Sequence, residues 1–174
     1  MRTLAQLVAL TFATVMLVVA ATAPASNPPT SSVVAPTAAG GTASDSWTGT
    51  IPPGTNPKSN CTSGLSPVDH HIIHLTAPVS YGTLSVQFVF SITWTPNTPT
   101  GDTADEILTV VGPGGEVGSS DGGTTTETVT GYNLPTGDYD VMACGFVNAL
   151  PQNYSGKFAA IVAVGEFSLP SVPV

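Results

Sequence analysis

Leu84-Ser85-Val86-Gln87-Phe88-Val89-Phe90-Ser91-Ile92-Thr93-Trp94 is the stretch that decides the fold. Side chains alternate across a pleated strand, so Leu84, Val86, Phe88, Phe90, Ile92 and Trp94 share one face. Ser85, Gln87, Val89, Ser91 and Thr93 share the other. One face is apolar throughout and the other mostly polar, which is the pattern of a strand with one side in a core.

Working outward, the run fills Thr83–Thr95 and is the longest of its kind. Ile107–Val111, Glu116–Ser119, Thr125–Tyr132, Tyr139–Val147 and Lys157–Val164 follow it; Trp47–Ile51 and His70–Thr76 precede it. Gly112-Pro113-Gly114-Gly115 and Ser119-Ser120-Asp121-Gly122-Gly123 separate three of them, and such clusters make turns because Gly accepts positive φ and Asp caps. Tyr139, Val141 and Ala143 oppose Asp140, Met142 and Cys144. About eight short strands, each with one apolar face, and no convincing helix imply an all-β fold. The expected architecture is a two-sheet antiparallel, jelly-roll-like β-sandwich.

The remainder of the chain speaks to address. Met1–Arg2 begin it, Leu4–Val19 are apolar apart from Gln6, Thr11 and Thr14, and Ala20–Ala25 are small residues around Pro24. That is the layout of a helical signal peptide over 1–25, cleaved ahead of Ser26; the competing reading is a retained membrane anchor. Residues 26–46 are Pro, Ala, Ser, Thr and Gly with one charge, and read as a flexible linker. The β-sandwich domain is expected over 47–167 and a loose Pro-rich tail over 168–174. Without Arg2 only Lys58 and Lys157 stand against 11 acidic residues. Such a domain repels nucleic acid and anionic membranes, which removes both as partners. Cys61 and Cys144, in a chain read as secreted, are expected to form one disulfide. It closes a loop of about 80 residues, for about 4 kcal/mol of stabilisation in the chain-entropy picture. Two buried free thiols are the alternative.

Gly82-Thr83-Leu84-Ser85-Val86, Ile92-Thr93-Trp94-Thr95-Pro96, the acidic loop after it, Ile107-Leu108-Thr109-Val110-Val111-Gly112-Pro113-Gly114-Gly115 with the turn at Asp121, and Pro135-Thr136-Gly137-Asp138-Tyr139-Asp140-Val141 resemble one bacterial family. This is the pre-peptidase C-terminal domain, a small sandwich found as an accessory module of secreted enzymes and surface proteins. The resemblance covers His70–Val164 and implies a jelly-roll-like fold with a non-catalytic role. Some relatives bind calcium near the strand after the acidic loop. Here Ile107 stands where the family carries a second aspartate, a departure that weakens any inherited calcium site.

Several constellations invite chemistry. Asp102, Asp105 and Glu106 place three carboxylates close together and are the candidate calcium ligands; a solvated acidic loop is the plainer reading. His70-His71-Ile72-Ile73-His74 puts His70 and His74 on one face of a strand, about 13 Å apart and too far for one ion, with exposed or edge-strand histidines as the plain reading. Gly118-Ser119-Ser120-Asp121-Gly122 matches the nucleophile-elbow pattern, but no helix follows and every histidine precedes Ser120, so a hairpin turn is expected. Gly112–Gly115 lacks the Lys-Ser/Thr of a phosphate cradle. Asn60-Cys61-Thr62 and Asn153-Tyr154-Ser155 are formal glycosylation sequons, unused in a bacterial chain. Tyr81 or Trp47 could stack on a sugar, though single aromatics more often serve a core or turn.

No catalytic residues emerge. The function expected is a secreted accessory or binding module for extracellular polysaccharide, cell wall or protein, which predicts an aromatic row or flat patch on one sheet. A small self-associating structural protein is the alternative and predicts a long unprotected edge. A hydrolase needs a nucleophile and base in a polar cleft, which no spacing here supplies.

Overall fold

The computed structural model describes residues 26–63, 67–97 and 104–163. Its strands are β1 (Thr30–Val34), β2 (Thr42–Ile51), β3 (Gly54–Thr55), β4 (Val68–Thr76), β5 (Val86–Trp94), β6 (Asp105–Gly112), β7 (Gly115–Ser120), β8 (Thr126–Tyr132), β9 (Gly137–Asn148) and β10 (Gln152–Val162). A single 3-10 turn, Cys61–Ser63, lies between β3 and β4. The expected signal peptide 1–25 and tail 168–174 lie outside the described residues.

Two sheets pack face to face. One runs β1-β4-β9-β6-β7, with β3 added beside β9; the other runs β2-β10-β5-β8. The chain passes from sheet to sheet at most connections, as a jelly-roll-like winding requires. Every pairing between strands is antiparallel except β1 with β4.

The alternation in β5 sets the core. Val86, Phe88, Phe90, Ile92 and Trp94 are all buried. Phe90 meets Phe158 of β10 edge-to-face at 5.2 Å and reaches Tyr139 of the opposite sheet at 6.2 Å. Ile73, Leu75, Leu108, Val110 and Val141 close the core from that side. Burying a side chain of this size contributes about 1.5–3 kcal/mol.

Cys144 points away from Val141 and Ala143, as the alternation predicts, and is disulfide-bonded to Cys61 with Cα atoms 5.7 Å apart. The bridge sits with Ile107 and Met142 in a separate small apolar cluster on the outer side of the six-stranded sheet.

Residues 26–46 differ from the expected linker. They contribute β1 and the first half of β2, so the folded domain begins ahead of Trp47. Backbone pairing orders this segment more than apolar bulk does. Thr30–Val34 run alongside Ile72–Thr76, and Thr42–Ile51 pair with Gln152–Ile161. Asn27 also bridges to Thr48 through two backbone hydrogen bonds of 2.7 and 3.0 Å. Val33 and Ala35 are the buried contacts that its composition conceals.

Because β1 covers β4, the histidine strand is interior to its sheet rather than at an edge. His70 and His74 are exposed as expected, but His71 is fully buried. Trp47 is buried too, and Tyr81 packs partly against the core with its hydroxyl donating to Leu134 O at 2.8 Å. Neither ring is free to stack on a sugar.

Candidate functional site

Two adjoining cross-strand rows on the outward face of β2-β10-β5-β8 carry small hydroxyl side chains, while the rows beyond bring Ala159 and Val89, then the exposed Ile161, to the same face. One row is Thr48–Ser155–Thr93–Thr126 and the next is Ser46–Lys157–Ser91–Thr128. These residues are outward because Trp47, Gly156, Ile92 and Glu127 alternate with them and point into the sandwich. Thr93 and Thr126 are joined hydroxyl to hydroxyl at 3.2 Å. Tyr132, 62% exposed, is the large aromatic at the end of β8.

At the first row the face opens into a groove of about 670 Å³, lined also by Asn27, Thr50, Thr95, Asn97, Gln152 and Asn153. The amides there are held in place. Thr50 Oγ1 donates to Asn153 Oδ1 at 2.8 Å, and Gln152 Nε2 donates to Thr95 O and Asn153 O at 2.9 and 2.7 Å. Asn97 donates its backbone N–H to Gln152 Oε1 at 3.1 Å and its Nδ2 to Pro151 O at 2.7 Å. None of the described residues that line it is charged. The groove can exchange neutral hydrogen bonds, and its titratable lining residue, Tyr154, has its hydroxyl engaged by Trp47 and Asp69.

Behind the groove lies a buried polar cluster that stiffens it. Trp47 Nε1 donates to the Tyr154 hydroxyl at 3.3 Å, and that hydroxyl donates to Asp69 Oδ2 at 2.9 Å, joining the two sheets. Burial pushes the Asp69 carboxyl above its ordinary range, partly offset by the Tyr154 hydroxyl and by the backbone N–H groups of Thr50 and His70. Burial, with Asp69 beside it, also pushes the Tyr154 hydroxyl far up. Gly49 and Gly156 make the room: a Cβ on Gly156 would collide with the Trp47 indole, and one on Gly49 with Asp69 and the Tyr154 ring.

His71 lies in the same layer. Its imidazole stacks on Trp47, Nδ1 is 2.9 Å from Pro28 O, and Nε2 is 3.1 Å from Ser31 Oγ. A carbonyl can only accept, so Nδ1 carries the proton and Nε2 accepts from Ser31. Burial pushes the His71 pKa down, against the opposing pull of Pro28 O and Asp45, which favours the neutral ring. Asp45 Oδ2 stands 3.7 Å from Nε2, too far for a hydrogen bond. Serine, histidine and aspartate thus adjoin, but the ring has no exposed surface and one face is covered by Trp47. The group fastens the segment carrying Pro28 and Ser31 and offers a substrate no approach.

Of the candidate calcium ligands, Asp105 and Glu106 fall among the described residues. Asp102 lies outside the described residues. Asp105 is half-buried, its carboxyl pushed up by burial and by Asp121. Glu106 is turned fully inside, and Asn148 Nδ2 donates to both its oxygens at 2.8 and 2.9 Å. Burial raises its pKa to about 8, with Asp105 adding to the rise and Asn148 opposing it. A neutral, buried carboxyl is poorly suited to a calcium shell. Among the described residues no group of three or more His, Cys, Asp or Glu is placed to hold a metal ion.

Ser120 ends β7 and gives its hydroxyl to Glu127, as a turn residue and not a nucleophile beside histidine. His70 pairs with Asp140 at 3.0 Å and His74 with Asp138 at 2.7 Å, each across β4 and β9 on the outer face of the six-stranded sheet. The groove itself was not visible in the sequence. Its only forewarning was the polar side of β5, Ser91 and Thr93, since the strands beside it come from distant positions. Comparison with protein-family models and with curated proteins finds no match for this chain.

Proposed function

We propose that this protein is a secreted, non-catalytic β-sandwich module that binds extracellular polysaccharide on the outward face of β2-β10-β5-β8. The observation that carries the reading is the cross-strand array of hydroxyl and amide side chains ending in a groove whose described lining residues are all uncharged. Polysaccharides present dense hydroxyl groups that both donate and accept, and such a face answers them in kind. Each exchanged hydrogen bond is worth only about 0.5–1.5 kcal/mol. Several made together on strands that need no ordering give useful affinity. No carboxylate or histidine stands among the described residues that line the groove, which favours binding over hydrolysis. The signal-like segment 1–25, the Cys61–Cys144 bridge and the resemblance to pre-peptidase C-terminal domains support an accessory role outside the cell.

Self-association through an edge strand is less well supported. Asn27 occupies part of the free edge of β2, and β8 carries an inward-pointing charge, Glu127. Both are devices that discourage edge pairing.

Retention of the purified protein on insoluble cellulose, chitin and cell-wall polysaccharide, with affinity electrophoresis in soluble glucans and polyuronates, tests the reading. Binding to at least one, lost when Ser155→Trp fills the groove, is the expected result. Failure to bind any, or binding indifferent to Ser155→Trp, overturns it.

A further inference from the structure

The four strands of the proposed binding sheet contain three charged side chains, and they are sorted by face. Asp45 on β2 and Glu127 on β8 point inward, whereas Lys157 on β10 points out and is exposed. The one charge on the outward face of those strands is therefore positive, in a chain whose net charge is -8. Lys157 stands between Ser46 and Ser91 in its row, with Thr128 beyond. None of the ion pairs among the described residues involves it. Two positions along β10 is Ser155 in the groove, about 7 Å away.

We infer that the polysaccharide bound on this face carries carboxylates, and that Lys157 is the residue that selects them. The inference rests on the binding reading above and names its ligand class: an acidic glycan of uronic-acid type, whose hydroxyl groups occupy the neutral groove while one carboxylate meets the Lys157 ammonium. An ammonium with serines on either side and no ion pair has no carboxylate partner to surrender, so an incoming carboxylate gains the contact. The negative charge elsewhere does not forbid this. At about 0.15 M salt the Debye length is about 8 Å, and the field over the face is set by the charge standing on it.

The test compares binding of polygalacturonate and of its methyl ester, identical in backbone but uncharged, at about 0.15 M salt. The wild-type protein is expected to prefer polygalacturonate by about two- to five-fold, the size of an exposed ion pair. Lys157→Gln should abolish the preference while retaining the methyl ester, and Lys157→Arg should keep it. Lys58→Gln makes the same change in net charge away from the face and should leave the preference intact. Equal wild-type affinity for the two polymers, or a preference that survives Lys157→Gln, overturns the inference and leaves the polysaccharide reading standing. Binding to neither polymer overturns the inference; if every other polysaccharide also fails, the binding reading falls with it.

Discussion

The indole of Trp47 and the imidazole of His71 lie parallel, centroids 4.0 Å apart and planes 6° from each other, one ring from each sheet. The imidazole edge is meanwhile bonded to Pro28 and Ser31, so one side chain links both layers and the N-terminal strand. Burial holds its pKa below the ordinary 6.5. The folded state therefore prefers the neutral ring. His71 contributes stability that is present above about pH 6.5 and is lost as pH falls toward the lowered folded value. Thermal midpoints from pH 7.5 to 5 are expected to fall more steeply in the wild type than in His71→Gln. Parallel profiles would refute the role assigned to His71.

Glu106 has the opposite sign. Its folded pKa of about 8 lies above the ordinary 4.5, so its protonated form stabilises the fold fully below about pH 4.5. That contribution is lost as pH rises through 8. Glu106→Gln keeps an acceptor for Asn148 Nδ2 and adds a donor for Asn148 Oδ1, which has no hydrogen-bond partner. The variant should gain in melting temperature over the wild type by an amount that grows by roughly 10 °C from pH 5 to pH 8. A gain that does not change with pH would show that Glu106 stays ionised throughout.

Gly156 underlies the Trp47 indole, and the ring cannot retreat without breaking its stack on His71 or its bond to Tyr154. Gly156→Ala is expected to cost about 1–3 kcal/mol, the usual range for overpacking, read as a lower urea midpoint with unchanged slope. Gly114→Ala, at a site with no neighbour near the added Cβ, is the control and should lose far less.

The Cys61–Cys144 bridge spans 83 positions. Replacing both cysteines by Ala should reduce unfolding free energy by about 4 kcal/mol. Intact mass before and after reduction and alkylation checks the bond itself. Two thiols that label without reduction would remove it.

With Glu106 turned inward, calcium and chelator should give the same melting midpoint. A rise of several degrees with calcium would mean that Asp105 finds partners the described residues do not supply.

The strands that alternate were legible because alternation is local. β5 followed from its own residues, and Cys144 was assigned to the outer side from parity alone. β1 escaped because Thr30–Val34 has the composition of a linker; it is a strand on account of what lies beside it. His71 looked like its exposed neighbours, since nothing in a histidine-rich run says which ring will meet Trp47. The groove was hidden for the same reason: Thr48, Thr93 and Ser155 are far apart in the chain and become one surface only through pairing. Nor did the acidic loop show which carboxylate turns inward, because nearness in sequence does not keep Glu106 on the outside.

Sorting of charge between the two layers also gives the molecule a direction. Asp138 and Asp140, each against a histidine, sit on one broad side and Lys157 on the other. Within a Debye length of a wall of fixed anions, about 8 Å at about 0.15 M salt, the Lys157 side is received more readily than the aspartate side. The side of attachment is then chosen only on close approach, and added salt should blunt the choice.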